Sequence, residues 1–234
     1  MPPLVREKHV VKWLEEVSEE ASAIYLVGDI FDFWWEYRSV VPKGFTRFLG
    51  TISGLTDKGI EVHFFTGNHD MWIGNYLSEE CGMILHTGSL TTDLLGKTFY
   101  ITHGEGLGTK DIFYKFLLRI FKNKVLRKLY SFVHPRLGLA IGHSWSRHSR
   151  LAKHYSSEFT GPEKEDLIRH ALEVLRSEKI DYFIFGHRHI ALEYSPENHE
   201  SRIFFLGEWF SAPFYVSWDG REALLKEFSY HQQA

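Results

Sequence analysis

Four times in this chain a short apolar run stops at a small or flexible residue and is followed at once by a side chain able to hold a metal ion. Ile24-Tyr25-Leu26-Val27 leads into Gly28-Asp29, with Asp32 a little further on, and Ile60 to Phe65 leads into Thr66-Gly67-Asn68-His69-Asp70. Thr98-Phe99-Tyr100-Ile101 leads into Thr102-His103-Gly104-Glu105, and Asp181 to Phe185 leads into Gly186-His187-Arg188-His189. Such runs are too short for helices and rich in strand formers, so they read as buried strands. Gly28 lets the backbone turn sharply after the first of them. Ligands of open α/β sheets gather in the crevice outside the carboxyl ends of the strands, and parallel strands would bring all four sets to one rim. A single histidine beside a glycine is more often a loop residue than a ligand. Four such ends in one chain point to a metal site.

The intervening sequence supports an α/β reading. Val10, Trp13, Leu14 and Val17 mark one face of a helix over Val5 to Glu20, and Phe45, Phe48, Leu49, Ile52 and Leu55 mark a second that ends near Gly59. With the Ile60 strand this makes a β-α-β unit, which implies parallel strands. A short helix closed by Gly82 follows, then strand-like pieces at 83–86, 90–94 and 98–101 with a hairpin turn at Gly96-Lys97. Thr160-Gly161-Pro162-Glu163 has the form of a capping box opening a helix through about Ser177. Strands around 202–206, 214–218 and 222–228, with a turn at Asp219-Gly220, complete an antiparallel section.

A chain of 234 residues can bury the core of one large domain, 1–234, and nothing in it demands a second. Cys81 is the single cysteine, so no intrachain disulfide can form and a reducing compartment is expected. The opening MPPLVREKHVVKW has no apolar stretch of signal-peptide length, and no run is long enough to span a bilayer. A soluble or surface-associated cytoplasmic protein is the expectation.

The net charge of −3 conceals an asymmetry, because Lys110 to Lys153 holds eleven Lys or Arg against one acid, Asp111. Within the segment 108–157, apolar residues from Phe113 to Phe132 interleave with Lys115, Arg119, Lys122, Lys124, Arg127 and Lys128. Helices that pack on the sheet and solvate a basic face are one reading. A helical lid that faces anionic lipid or holds an acyl chain is the sharper one.

Asp, Asn and His form a mixed oxygen and nitrogen set suited to Mn²⁺, Fe²⁺ or Zn²⁺ rather than to calcium or a thiolate-loving ion. Two such ions roughly 3.5–4 Å apart can activate water and stabilise both oxygens of an in-line phosphoryl displacement. Asp29 is the natural bridge between them.

Gly28-Asp29-x-x-Asp32, Gly67-Asn68-His69-Asp70, His103-Gly104 and Gly186-His187-x-His189 together resemble the signature blocks of the calcineurin-like metallophosphoesterases. The resemblance implies a β-sandwich flanked by helices, with the segment 108–157 as its lid. Within the family, GDIFDFWWEY (28–37), GNHDMW (67–72), HGEGLG (103–108) and the basic, aromatic insert resemble the enzymes that cleave the pyrophosphate of a diacylated sugar nucleotide in lipid A assembly. The products there are an acylated sugar phosphate and UMP, and the implied partners are a lipid-linked sugar nucleotide and the inner membrane surface, with no nucleic acid. By the same resemblance Asp29 bridges the metals, Asn68, His103 and His187 complete one site, and His189 belongs to the other. His69 would sit beside the scissile phosphate with Asp70 orienting it, while hydrogen bonding within the turn suits Asp32 as well as chemistry does. Arg147 and Arg150 are candidates for the substrate phosphate, since a guanidinium fork suits that group.

Two departures stand out. Family members open with a strand ending in Asp-x-His that supplies two ligands to the first metal, whereas the first Asp here is Asp29 and the only earlier histidine is His9, on the opening helix. Glu105 stands where these relatives usually carry Asp. An N-terminal truncation is the favoured explanation for the first departure, with a natural one-metal variant as the other. A sheet lacking such a strand would leave unpaired backbone or a gap in the core. The chain as written is therefore expected to hold one ion and to be poorly active. Two other functions stay open: a phosphodiesterase or pyrophosphatase of the same fold acting on a soluble nucleotide or nucleic acid, and a non-catalytic lipid- or metal-binding remnant.

Overall fold

The computed structural model describes residues 3–108, 112–121, 123–152, 159–209 and 212–229. The strand-forming runs assemble into two sheets. β1 (Ala23–Val27), β2 (Glu61–Phe65) and β3 (Ile84–His86) pair in parallel in that order. The second sheet runs β10 (Ala223–Glu227), β9 (Ala212–Trp218), β8 (Arg202–Glu208), β6 (Tyr182–Phe185), β5 (Lys97–Thr102) and β4 (Leu90–Leu94), with β7 (Ala191–Tyr194) also on β8. β5, β6 and β8 are parallel, and the rest of that sheet is antiparallel.

Alternation along the strands decides how the layers stack. Ile24 and Leu26 of β1, with Val62 and Phe64 of β2, face outward onto α1 (Pro3–Val17) and α2 (Thr46–Thr56). Val27 and Phe65 face inward, where they meet Phe99, Ile101, Tyr182, Ile184 and Phe204 of the second sheet. Tyr100, Phe183, Phe185 and Phe205 point from the far side of that sheet onto Leu167, Ile168 and Ala171 of α7 (Asp166–Val174). The order is helices, sheet, sheet, helix. Phe64, Phe65, Phe183, Phe185, Phe204 and Phe205 are fully buried, each worth about 1.5–3 kcal/mol relative to exposure, so the loops leaving β2 and β6 start from rigid supports. The first two helices are fastened directly: Glu7 on α1 accepts from the N–H groups of Arg47 and Phe48, which open α2 without a side-chain cap of its own.

Three expectations change in the folded chain. The strand ends that share a rim come from two sheets rather than one, two from each, because parallel pairing is split between β1–β2 and β5–β6. The helix expected from Thr160 starts at Asp166, after a single 3₁₀ turn at Pro162–Lys164, with Glu165 rather than Thr160 at its cap position. Strand β7 was not foreseen; its four residues alternate between exposed and half-buried, too short a pattern to register. The hairpin before β5 does form, with Leu95 and Gly96 both at positive φ as a tight two-residue turn requires.

Beside the outer edge of β1, which pairs with no strand among the described residues, runs a cavity of about 1120 Å³ between the sheets. Tyr25, Val27, Phe99, Ile184, Tyr215 and Trp218 are among its walls, and Asp29, His103, His187 and His189 line it as well.

The basic segment folds as α4 (Ile112–Phe121), α5 (Lys124–Tyr130) and α6 (Pro135–Ala152), after the short α3 (Tyr76–Glu79). These helices rest on the loops that follow β1 and β2. Trp72 donates its indole N–H to the Phe121 carbonyl at 3.0 Å, and Trp35 packs on Tyr130 with ring centres 4.4 Å apart. Their other side is apolar and exposed at Ile112, Val125, Leu129 and Phe132. Among the described residues no helix is long and apolar enough to cross a membrane.

Candidate active site

The four blocks foreseen from the sequence meet where the two sheets end together. Val27 is the last residue of β1, and its carbonyl accepts the Nδ1 hydrogen of His103, just beyond β5, at 2.9 Å. Glycines make that approach possible. A Cβ at Gly28 would fall 2.5 Å from the His103 ring, one at Gly67 2.2 Å from Asp29 Oδ1, and one at Gly186 2.7 Å from the Val27 carbonyl oxygen. Asp29 and His187 themselves adopt positive φ, 54° and 59°. A non-glycine residue held in that region costs on the order of 1–3 kcal/mol and persists only where its surroundings impose it.

The donors are turned onto one another. His103 Nε2 lies 3.3 Å from Asp29 Oδ2, and His187 Nδ1 shares a hydrogen bond of 3.0 Å with Asn68 Oδ1. The His103 and His187 rings are 5.3 Å apart, and the backbone N–H of His69 donates to Asp29 Oδ1 at 2.8 Å. Among the described residues no three His, Cys, Asp or Glu side chains form a metal cage by themselves; the fourfold set depends on the amide of Asn68. Whether that set suits a cation is decided by His103. Its Nδ1 carries a hydrogen, since its partner is a carbonyl, so a neutral ring would aim the Nε2 lone pair at a carboxylate. Among the described residues that nitrogen is buried without a hydrogen-bond partner. A proton or a metal ion between Nε2 and Asp29 removes the conflict, and a borderline divalent ion fits the nitrogen and oxygen donors on both sides.

The electrostatics agree. Burial would lower the His103 pKa, but the Asp29 carboxylate outweighs it and holds the imidazolium well above its ordinary range. Burial pushes Asp29 up, and His103 together with the His69 N–H pulls it below the usual carboxylate range. An ion would take the place of the His103 proton.

Asp70 does a different job from the one expected of it. Its fully buried carboxylate accepts from the N–H groups of Gly67 (2.6 Å), Ile30 (2.9 Å) and Phe31 (3.4 Å), stapling the loop after β2 to the loop after β1. Burial first, and then the Asp29 charge, raise its pKa above the carboxylate range against the Gly67 and Phe31 N–H groups and the charge of His103. Ser146 of α6 is fastened to the His69 ring, its Oγ sharing a hydrogen bond of 2.9 Å with Nδ1. Ser146 is buried, and nothing in the sequence singled it out.

His189 opens onto the same cavity and lies 3.9 Å from Glu208, while Asp32 pairs with Arg6 of α1 at 3.4 Å. Arg147 and Arg150 lie on α6, but their side chains fall outside the described residues. Arg188, the residue between the paired histidines, makes a two-pronged bond to Glu165 at 2.7 and 2.9 Å. That pairing ties the start of α7 to the His187 loop.

A profile of the calcineurin-like phosphoesterase family matches residues 6–191. A protein of Porphyromonas gingivalis named UDP-2,3-diacylglucosamine hydrolase is 42% identical over 96% of this chain and 90% of its own length. Proteins of the same name from Histophilus somni and Aeromonas salmonicida are 27% and 28% identical, over 85% and 86% of this chain and 83% and 78% of theirs.

Proposed function

The chain belongs to the calcineurin-like phosphoesterase family, and from that premise we propose that it adds water across the pyrophosphate of UDP-2,3-diacylglucosamine, releasing UMP and the diacylated sugar 1-phosphate. Divalent metals serve this family, and the observation that carries the reading is the convergence of Asp29, Asn68, His103 and His187 beside His69. When bound there, a divalent ion such as Mn²⁺, Fe²⁺ or Zn²⁺ supplies Lewis-acid stabilisation to the phosphoryl oxygens and acidifies water. Asp29 and His103 bind it from the first and third blocks, Asn68 and His187 from the second and fourth. His69 donates to the phosphoryl oxygen that gains charge.

The lipid part of the substrate is supported by what surrounds His69. A small cavity of about 100 Å³ beside Asn68, His69 and Ser146 is walled by Phe33, Met71, Trp72, Leu117, Phe121 and Trp145. Acyl chains suit such walls better than a soluble nucleotide does. Helices α4–α6 act as the lid, and their exposed apolar residues among Lys115, Arg119, Lys124, Arg127 and Lys128 suit the surface of an anionic membrane.

The test is release of UMP by the purified chain with added Mn²⁺. Metal-dependent hydrolysis of the diacylated substrate, well above that of the same sugar nucleotide without acyl chains, is expected. Equal rates on the two would favour a phosphodiesterase of soluble nucleotides, and no metal-dependent release from either would defeat the reading.

A further inference from the structure

We propose that Ser146 is a positioning residue for His69, donating its hydroxyl hydrogen to Nδ1 and so holding the ring as the Nε2–H tautomer with Nε2 aimed at the substrate. The inference rests on the reading above that places His69 beside the scissile phosphate. His69 is held at its backbone by the bond to Asp29 Oδ1, which does not itself stop the ring from turning. Asp70, the neighbour best placed in sequence to stop it, is committed to the backbone of Gly67, Ile30 and Phe31. The 2.9 Å contact with Ser146 holds the ring directly. A donor on Nδ1 sets both the ring angle and the location of the remaining proton.

The helix is shaped to deliver that hydroxyl. Gly138, Gly142 and Ser146 follow one another at four-residue intervals and so share a face of α6. A Cβ on Gly142 would lie 2.2 Å from the ring of Phe33, and one on Gly138 2.0 Å from the Tyr37 hydroxyl. Phe33 is buried and has little room to retreat. Any side chain at Gly142 would lift α6 from the loop after β1 and lengthen the Ser146 contact. Seating of α6 and orientation of His69 are therefore one event.

The experiment uses the full chain with metal bound. In S146A, kcat falls about tenfold, the low end of what loss of a supporting hydrogen bond costs at a metal site, while KM stays within about twofold. Introduced into H69Q, S146A produces no further loss, because the two residues act in series. In the diamagnetic Zn²⁺-loaded protein, the ring ¹⁵N resonances of His69, identified by their absence from H69Q, report the Nε2–H tautomer and shift in S146A. G142A keeps the hydroxyl but displaces the helix, and shows the same shift. An equal loss from S146A with and without His69 would mean that Ser146 acts on its own, and would overturn the proposal. So would unchanged ring resonances in S146A, or a wild-type ring protonated at Nδ1. The spectra are read without substrate, so failure of this contact and failure of the proposed reaction are told apart.

Discussion

Two histidines of this protein, His103 and His63, bury an Nε2 atom that has no hydrogen-bond partner among the described residues, yet they stand in very different company. His103 lies in a loop beyond its strand, with a buried carboxylate 3.3 Å from that nitrogen and the His187–Asn68 pair beside it. His63 lies within β2 and shares a 2.9 Å hydrogen bond with His86 through its other nitrogen. Its ring is stacked on Tyr25 at 4.3 Å, and the nearest acid is the exposed Glu61 at 3.5 Å. Burial and an orphaned nitrogen are common to both. What separates the proposed ligand from the packing residue is the loop geometry that lets carboxylate, amide and imidazole converge, together with the positive φ of Asp29 and His187.

The largest effect expected from this contrast is on turnover. D29A or H103A should lower metal-dependent hydrolysis by more than about 100-fold, since even the partners of metal ligands cost 10–100-fold. H63F with H86F, which keeps the stacking, should leave the rate within about twofold. A comparable loss in both variants would erase the distinction. Metal binding offers a second measure without substrate. Mn²⁺ at about 100 times its Kd should stabilise the wild-type fold by about 2.7 kcal/mol. For a chain of this size that is a rise in Tm of roughly 5–10 °C. H103A should abolish the shift and H63F should retain it. Elemental analysis should find near one ion per chain on the four donors; two would bring His189 and Glu208 into a second site.

The four loops proposed to hold metal were legible because each follows a short apolar run that reads as a buried strand, three of them with a glycine where a side chain would collide. Gly28, Gly67 and Gly186 are the physical reason the pattern could be read. What stayed hidden is what depends on long-range partners. Asp70 looks like a neighbour for His69, but in space it serves backbone donors 39 and 40 residues away. Glu165 looks like an ordinary first-turn acid, and its tie to Arg188 is visible only once α7 packs beside the last block. Ser146 is one serine among several on a basic helix until Gly138 and Gly142 bring it to His69. The His63–His86 pair was equally invisible, because both residues sit inside strand patterns where they count only as polar interruptions.

That pair also gives the smallest prediction, a pH dependence opposite in sign to that of His103. The bond between His63 Nδ1 and His86 Nε2 needs one nitrogen to be bare, so it does not survive protonation of both rings. Burial first, and the neighbouring His63 second, lower the His86 pKa below its ordinary value of 6.5. Between the folded and unfolded values the unfolded chain therefore binds more protons, and stability rises with pH. The sign is that of a group kept neutral by folding: its contribution is complete above about pH 6.5 and is lost as the solution is acidified through the lower, folded value. The His86 part of that loss is read as the difference in Tm between the metal-free wild type and H86F over that interval, a few degrees at most. H86F should lose less Tm to acid than the wild type, by the part that His86 carries, because the opposing trends of Asp70 within that interval and of His103 above pH 6.5, both with raised pKa values, persist in both proteins. An H86F melting profile that falls with acid as steeply as the wild type would place the titrating group elsewhere and make the His63–His86 bond a bystander.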